Sequence, residues 1–223
     1  MNVLVIAPHR DDEILGVGGT ILKRKAAGDR VTVCVVTSSE NCPISEQAKQ
    51  YTAIVHDEML QAHAYCQIDA YYGLPFEPII LENYPRRELN GELMKIINEV
   101  KPNEVYLPFW GDMQKDHRVT TDAAMVVLRA KYNHPVRRIY AYETLSETGI
   151  NLPTVDNAFN PNVFEDISDY LEGKKRAMSF FKSQVQDFPD LRSLDAVEAL
   201  ARFRGATVNV KAAEAFMLIR EIK

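Results

Sequence analysis

The stretch "NVLVIAPHRDDE", residues Asn2–Glu13, joins an apolar run to a dense group of charged side chains. The run "NVLVIA" has the length and the β-branched content of a buried strand. A histidine, an arginine and three acids follow it almost at once. Like charges this close repel each other unless a cation gathers them. Because open α/β sheets bind ligands just beyond the carboxyl ends of their strands, this stretch predicts a metal site.

The composition is that of a soluble globular protein. The chain has 223 residues, of which 46% are hydrophobic and 26% charged, and we expect a single domain over residues 1–223. A net charge of -5 argues against a nucleic-acid partner, and no apolar run is long enough to span a membrane. The first residues carry no basic segment of a signal peptide. Three cysteines without CxxC spacing, Cys34, Cys42 and Cys66, favour a cytoplasmic location, and Cys34 is expected to be buried.

Strand-like and helix-like patterns alternate along the first two thirds of the chain. Besides Asn2–Ala7, the predicted strands are Arg30–Thr37, Glu104–Pro108 and Arg137–Glu143. The predicted helices are roughly Gly18–Ala27, Ser45–Cys66, Pro85–Lys101 and Val119–Tyr132. This order predicts an α/β fold with a Rossmann-like, mostly parallel sheet and helices on both faces.

The C-terminal third, about residues 150–223, has a different pattern. A long polar connection leads to "VFEDI", two helical segments (about Asp169–Lys182 and Leu191–Arg204) and a last apolar run near Ala215–Ile219. We expect this region to form a cap that packs beside the sheet and belongs to the same domain.

Two of the five histidines lie shortly after predicted strands. His9 directly follows the first strand, and His117 ends the loop after the strand that begins at Glu104. If those two strands are neighbours, both loops open onto the same crevice. Two imidazoles and one carboxylate then form a three-ligand site with a position left for water, as in catalytic zinc sites. The remaining histidines are expected on the surface, in the half-buried part of a helix or in a turn: His56, His63 and His134.

The spacing of the acids indicates which of them binds the metal. His9 and Asp12 are about one helical turn apart, so their side chains can converge as the loop enters its helix. Asp11 then points elsewhere and is free to act on a metal-bound water. The alternative is that the acids only cap a helix N-terminus, which explains neither His9 nor the loop with His117. Zinc is the expected cofactor, and other divalent metals are compatible with the ligands.

Several phrases resemble one protein family. "APHRDDEILGVGGTI" looks like the H-x-D-D-E signature of the N-acetylglucosaminylphosphatidylinositol deacetylase family, also called PIG-L or LmbE-like. "GDMQKDHRV" resembles that family's D-x-H-x-D-H motif. "YETLSETG", "FNPNVFEDIS" and "ARFRG" are similar to a bacterial branch that acts on amino-sugar conjugates. The resemblance implies a zinc-dependent N-deacetylase that removes an acetyl group from an amino sugar or its conjugate.

The resemblance also implies roles for individual residues. These are His9, Asp12 and His117 as metal ligands, Asp11 as the general base, and Asp116 beside the site. The chain departs from the motif at Gln114, where the family usually has a histidine that stabilises the oxyanion or protonates the leaving amine. Glutamine can donate a hydrogen bond but cannot transfer a proton near neutral pH. We therefore expect Gln114 to serve as an oxyanion donor, and Asp11 to return its proton to the departing nitrogen.

Three further residues are candidate substrate contacts. Arg10 is placed to meet a hydroxyl or a phosphate, with a salt bridge to Glu13 as the alternative. Asn162 and Arg204 match motif positions near the pocket of relatives, with loop capping and ion pairing on a helix surface as the alternatives. The implied partner is a small N-acetylated amino sugar or a glycoconjugate, and a homo-oligomer is compatible with the sequence.

Three other functions compete with deacetylation. "GVGG" after the first strand hints at a dinucleotide site, but Ile21 stands where that fingerprint needs a glycine. Two histidines and a carboxylate also suit a non-haem iron oxygenase. A sugar-binding protein that keeps the metal without catalysis is the third alternative, and Gln114 is the reason to consider it.

Overall fold

The computed structural model describes residues 1–39, 45–132 and 134–223, in which seven strands form one sheet. The strands are β1 (Asn2–Ala7), β2 (Arg30–Val35), β3 (Ala70–Gly73), β4 (Glu104–Pro108), β5 (Arg138–Tyr142), β6 (Val163–Asp166) and β7 (Ala213–Glu221). Their order across the sheet is β3-β2-β1-β4-β5-β7-β6. Strands β1 to β5 are parallel, and β7 runs antiparallel to both β5 and β6. The predicted mostly parallel sheet is confirmed.

In the described part of the chain, six α-helices cover the two faces of this sheet. They are α1 (Asp12–Ala26), α2 (Glu46–Tyr65), α3 (Arg86–Val100), α4 (Lys115–Val127), α5 (Leu171–Met178) and α6 (Leu194–Thr207). Within the described ranges, none of these helices is both long enough and apolar enough to cross a membrane.

The core lies in two layers, one on each face of the sheet. Val3 and Val5 of β1 pack with apolar residues of α1, α2, α5 and α6. Leu4 and Ile6 point to the opposite face and pack with residues of α3 and α4. Side chains on both faces of β1 are therefore buried, which explains why its sequence is a continuous apolar run. Cys34 is buried as predicted. Cys42 lies outside the described residues.

Helix α1 begins at Asp12, six residues before the predicted start at Gly18. Glycine lowers helix propensity, so the glycines of "GVGG" make the first turns of this helix difficult to recognise in the sequence. In the fold, a Cβ at Gly16 would lie 2.2 Å from Cδ2 of Tyr142, and one at Gly19 would lie 2.7 Å from Cδ1 of Ile167. The glycines let α1 pack closely against the sheet, and this packing outweighs their low propensity.

The C-terminal third is integrated in the sheet to a greater extent than we predicted. Strands β6 and β7 extend the sheet beyond β5, and only α5 and α6 cover a face as a cap would. The last strand is longer than the predicted run because it pairs with a neighbour on each side. Strand β3 was not predicted. It has four residues and forms the sheet edge beside β2.

Candidate metal centre

The loops after β1 and β4 open onto one crevice, because these two strands are neighbours. Val5 of β1 pairs with Tyr106 of β4, so the carboxyl ends of both strands lie side by side. Chain connections leave β1 and β4 towards opposite edges of the sheet. This is the switch point at which open α/β sheets bind their ligands. The predicted neighbourhood of the two histidine loops is confirmed.

The structure brings His9, Asp12 and His117 together. One ligand atom of each lies within 4.8 Å of the others. His9 Nδ1 is 3.2 Å and His117 Nε2 is 3.3 Å from Asp12 Oδ2. Asp12 Oδ1 and His117 Nε2 are buried and have no hydrogen-bond partner among the described residues. Buried polar atoms are rarely left in this state, and a cation between them would satisfy both. Two nitrogens and one carboxylate are a ligand set that would fit zinc.

The second nitrogen of His9 faces another acid. His9 Nε2 lies 3.0 Å from Asp116 Oδ2, in the first turn of α4. The same carboxylate accepts hydrogen bonds from the backbone N–H groups of Ile79 and Leu81. These bonds fix Asp116, which in turn fixes the imidazole with Nδ1 towards Asp12. Carboxylates in this outer position orient histidine ligands and increase their basicity.

His117 has an equivalent partner in Asp112. Its Nδ1 lies 2.8 Å from Asp112 Oδ2, and the hydroxyl of Thr148 donates to Asp112 Oδ1 at 2.5 Å. His117 and Asp112 are fully buried. We did not single out Asp112 from the sequence, although it stands in the same loop as His117 and is the first acid of the motif quoted above.

The electrostatics of the cluster favour a cation. Burial disfavours the His9 imidazolium, but hydrogen bonds with Asp116 and Asp12 outweigh it and raise the pKa of His9 to about 9. Burial also disfavours the charged form of His117. The charge of Asp12 and the hydrogen bond to Asp112 outweigh burial and raise the pKa of His117 to about 10. Burial would raise the pKa of Asp12, yet the two histidines lower it far below its usual range. The acids around the cluster thus stabilise positive charge, here on the two imidazoles, at the place where a metal ion would bind.

Asp11 lies beside these residues in a strained conformation. Its φ is 116°, in the left-handed region that favours glycine, and its carbonyl receives the first hydrogen bonds of α1. Strain of this kind is concentrated at functional sites. The carboxylate is buried, and its Oδ2 has no hydrogen-bond partner among the described residues. Burial and the charge of Asp12 raise the pKa of Asp11 to about 8, whereas Arg192, whose Nε is 3.7 Å from Asp11 Oδ2, lowers it.

The backbone of Asp11 is held by a buried pair. The N–H of Asp11 donates to Glu13 Oε2 at 3.1 Å, and Glu13 Oε1 lies 2.8 Å from His63 Nε2 in α2. The sequence predicted His63 to lie on the surface or half-buried in a helix. In the structure it is buried and contacts Glu13.

A cleft of about 270 Å³ lies over Asp11 and His9. Gln114 is half-buried in its wall, and its backbone N–H donates to Glu147 Oε2 at 3.2 Å. Neither Glu147 nor Arg192 was predicted. Glu147 lies in the phrase "YETLSETG" quoted above but was not singled out there, and Arg192 comes from a segment remote from the metal loops. The cleft is lined by His9, Arg10, Asp11, Thr37, Ser39, Tyr51, Thr52, Val55, Pro78, Ile79, Gln114, Glu147, Gln184 and Arg192.

The three candidate substrate contacts have different positions. Arg10 lines the cleft, but Nη2 of its buried guanidinium donates to the carbonyl of Ser38, and Glu13 pairs with His63 instead. Asn162 and Arg204 do not line this cleft.

Asn162 and Arg204 both stabilise the C-terminal part of the sheet. Asn162 accepts the backbone N–H of Leu218 in β7 through Oδ1. The guanidinium of Arg204 donates twice to the carboxylate of Glu143, at 2.8 and 2.6 Å. These contacts give both residues a structural role, and their expected contact with a substrate stays a prediction.

The fold and the site define an α/β protein with a candidate metal centre at the switch point of its sheet. Residues 4–128 match the GlcNAc-PI de-N-acetylase (PIG-L) family, and the match covers more than half of the chain. The chain belongs to this family.

Individual relatives are similar over most of the chain. A diacetylchitobiose deacetylase of Thermococcus kodakarensis is 26% identical over 196 residues, which cover 85% of the chain and 71% of that protein. A trigger factor of Bartonella bacilliformis is 23% identical over 181 residues, and the chain spans only 38% of its length.

Solved structures share the fold. An N,N'-diacetylchitobiose deacetylase from Pyrococcus horikoshii superposes with a TM-score of 0.76 at 25% identity, covering 98% of the chain and 83% of that structure. A conserved protein from Thermus thermophilus has a TM-score of 0.78 at 22% identity, covering 100% of the chain and 96% of that structure. The second likeness is evidence for the fold alone.

Proposed function

We propose that the protein is a zinc-dependent deacetylase that hydrolyses the acetamide of an N-acetylated amino sugar or glycoconjugate. The observation that carries this proposal is the convergence of His9, Asp12 and His117 beside the strained Asp11, whose carboxylate has an oxygen without a hydrogen bond among the described residues. The names of two relatives, both diacetylchitobiose deacetylases, support the substrate class. We also propose one domain and a cytoplasmic location.

His9, Asp12 and His117 would hold the ion, with Asp116 and Asp112 orienting the imidazoles. A bound zinc would supply Lewis acidity, polarising the acetyl carbonyl and acidifying a water. The chain supplies the proton transfer and the shape of the cleft.

Asp11 is the proposed general base. Its carboxylate lines the cleft next to His9, and its Oδ2 forms no hydrogen bond among the described residues, so this oxygen could accept a proton from the attacking water. Arg192 favours the ionised form that a base requires, and burial opposes it. A base whose pKa lies near the working pH combines the correct protonation state with sufficient proton affinity.

Gln114 is the proposed oxyanion donor. It lies in the wall of the same cleft, where its side-chain amide can donate a hydrogen bond as negative charge develops on the acetyl oxygen. Its neutral amide cannot serve as the acid of the reaction. The departing nitrogen therefore needs a proton from Asp11 or from another group.

The proposal is tested by acetate release from a panel of N-acetylated hexosamines. The panel includes free, nucleotide-linked and lipid-linked sugars and N,N'-diacetylchitobiose, each assayed with zinc and with a chelator. We expect zinc-dependent acetate release from at least one class. A protein that binds zinc and sugars but releases no acetate from any of them would instead be a sugar-binding protein that lacks catalysis, the function that Gln114 makes the main alternative.

A further inference from the structure

Amide hydrolysis needs an acid as well as a base, because an amine leaves readily only when its nitrogen is protonated. The carboxylic acids and imidazoles that line the cleft are His9, Asp11 and Glu147. Tyr51 also lines it, but 55% of this residue is exposed and its hydroxyl accepts a hydrogen bond from Nε2 of Gln184. His9 faces Asp12 and Asp116 through its two nitrogens. Asp11 takes the proton of the attacking water in the proposed function. Glu147 is the remaining group, and it has no role in the proposed function.

Glu147 is held firmly in the wall of the cleft that Asp11 and His9 also line. It lies in the connection after β5, at the carboxyl ends of the parallel strands, where the metal loops also lie. Only 8% of the residue is exposed. Its Oε2 accepts a hydrogen bond from the backbone N–H of Gln114, and its backbone carbonyl accepts one from the backbone N–H of Met113. These bonds fix it against the loop that leads to His117. Among the described residues, no side chain forms a hydrogen bond or an ion pair with its carboxylate.

The surroundings of Glu147 shift the pKa of its carboxyl upwards. Burial raises its pKa, the negative charges of Asp12 and Asp112 act in the same direction, and the charge of His117 and the N–H of Gln114 oppose them. Arg192 and Asp11 face it from the other walls of the cleft. A carboxyl that keeps its proton to higher pH than usual is suited to donate it.

We propose that Glu147 is the general acid that protonates the departing nitrogen. This inference rests on the proposed deacetylation. The water oxygen bonds to the acetyl carbon while Asp11 takes one of its protons. The C–N bond then breaks, its electron pair stays on nitrogen, and the proton of the Glu147 carboxyl goes to that nitrogen. Acetic acid and the free amine leave, Asp11 releases its proton to solvent, and Glu147 regains one.

The role is tested with Glu147→Gln, which keeps an oxygen to accept the N–H of Gln114 but has no proton to transfer. Two substrates are compared, the N-acetylated sugar of the panel that the wild-type protein hydrolyses fastest and its analogue with an acetyl ester in place of the amide. An alkoxide leaves far more easily than an unprotonated amine, so the ester depends less on an acid. We expect kcat/KM for the amide to fall by roughly 10²–10⁴ and that for the ester to fall much less. Zinc content should not change. Glu172→Gln, on the exposed face of α5, is the control for loss of charge.

A second variant decides the question even if the ester is not a substrate. The double variant Glu147→Gln/Gln114→His has an imidazole, which ionises near neutrality, in the same cleft wall as position 147. Its kcat/KM for the amide should exceed that of Glu147→Gln by about tenfold or more. An equal loss for amide and ester without rescue would mean that Glu147 only positions the loop. Full amide activity in Glu147→Gln would leave Asp11 as the acid. Both results overturn the inference, whereas a wild-type protein that releases acetate from no sugar of the panel overturns the proposed function itself.

Discussion

Asp116 Oδ2 lies 3.0 Å from Nε2 of His9, on the side of the imidazole ring that faces away from Asp12. This contact determines how His9 can bind a metal. With Nε2 engaged by Asp116, the lone pair of Nδ1 is directed to the point where Asp12 and His117 also converge. The geometry of the site thus depends on acids that do not themselves bind the ion.

The first prediction concerns metal content. His117→Ala should lose most of the zinc, because two ligands are too few to hold the ion against solvent. Elemental analysis of protein purified with zinc measures this directly. His134→Ala, which lies outside the cluster, is the matched control and should keep one zinc per chain. Full occupancy in His117→Ala would place the metal elsewhere.

The second prediction concerns the pH dependence of zinc binding. In the metal-free protein the pKa of His9 is about 9 and that of His117 about 10, so both imidazoles carry a proton at neutral pH. Zinc must displace these protons, and we expect release of about two protons per ion. Affinity should therefore fall as the pH is lowered from 9. Titration calorimetry in buffers of different ionisation enthalpy counts the protons. Binding without proton release at pH 7 would contradict the geometry of the cluster.

The third prediction separates the base from the ligands. Asp11→Asn removes the proton acceptor and leaves His9, Asp12 and His117 in place, so kcat should fall by roughly 10²–10⁴. Zinc content and the midpoint of thermal unfolding distinguish this loss from misfolding. If the folded, zinc-loaded variant turns over at the wild-type rate, another group is the base.

The fourth prediction concerns a buried ion pair between α5 and β7 that contacts the backbone of α1. Lys174 Nζ lies 2.6 Å from Glu214 Oε1 and donates to the carbonyl of Leu15, while Glu214 accepts the N–H groups of Gly19 and Thr20. Glu214→Gln leaves the Lys174 charge buried and should lower the free energy of unfolding by about 3–5 kcal/mol. Urea unfolding measures this. An effect as small as that of an exposed control, Glu172→Gln, would contradict it.

The sequence predicts the parts of the site that lie close to strand ends. An apolar run with buried faces identifies β1, and the loops after β1 and β4 carry the ligands. Local patterns could not find Arg192, because it approaches Asp11 only when the segment before α6 folds over the cleft. The early start of α1 was missed because the space beside Gly16 and Gly19 is defined by Tyr142 and Ile167, which are remote in sequence.

The measurement that tests the central claim most directly is acetate release during a zinc titration of the chelated protein. With a substrate from the panel above, the rate should rise with added zinc and level off at one equivalent per chain. The same titration of His117→Ala should give no rise. Acetate release that persists in the chelated protein, or a plateau unrelated to the zinc bound by His9, Asp12 and His117, would contradict the account.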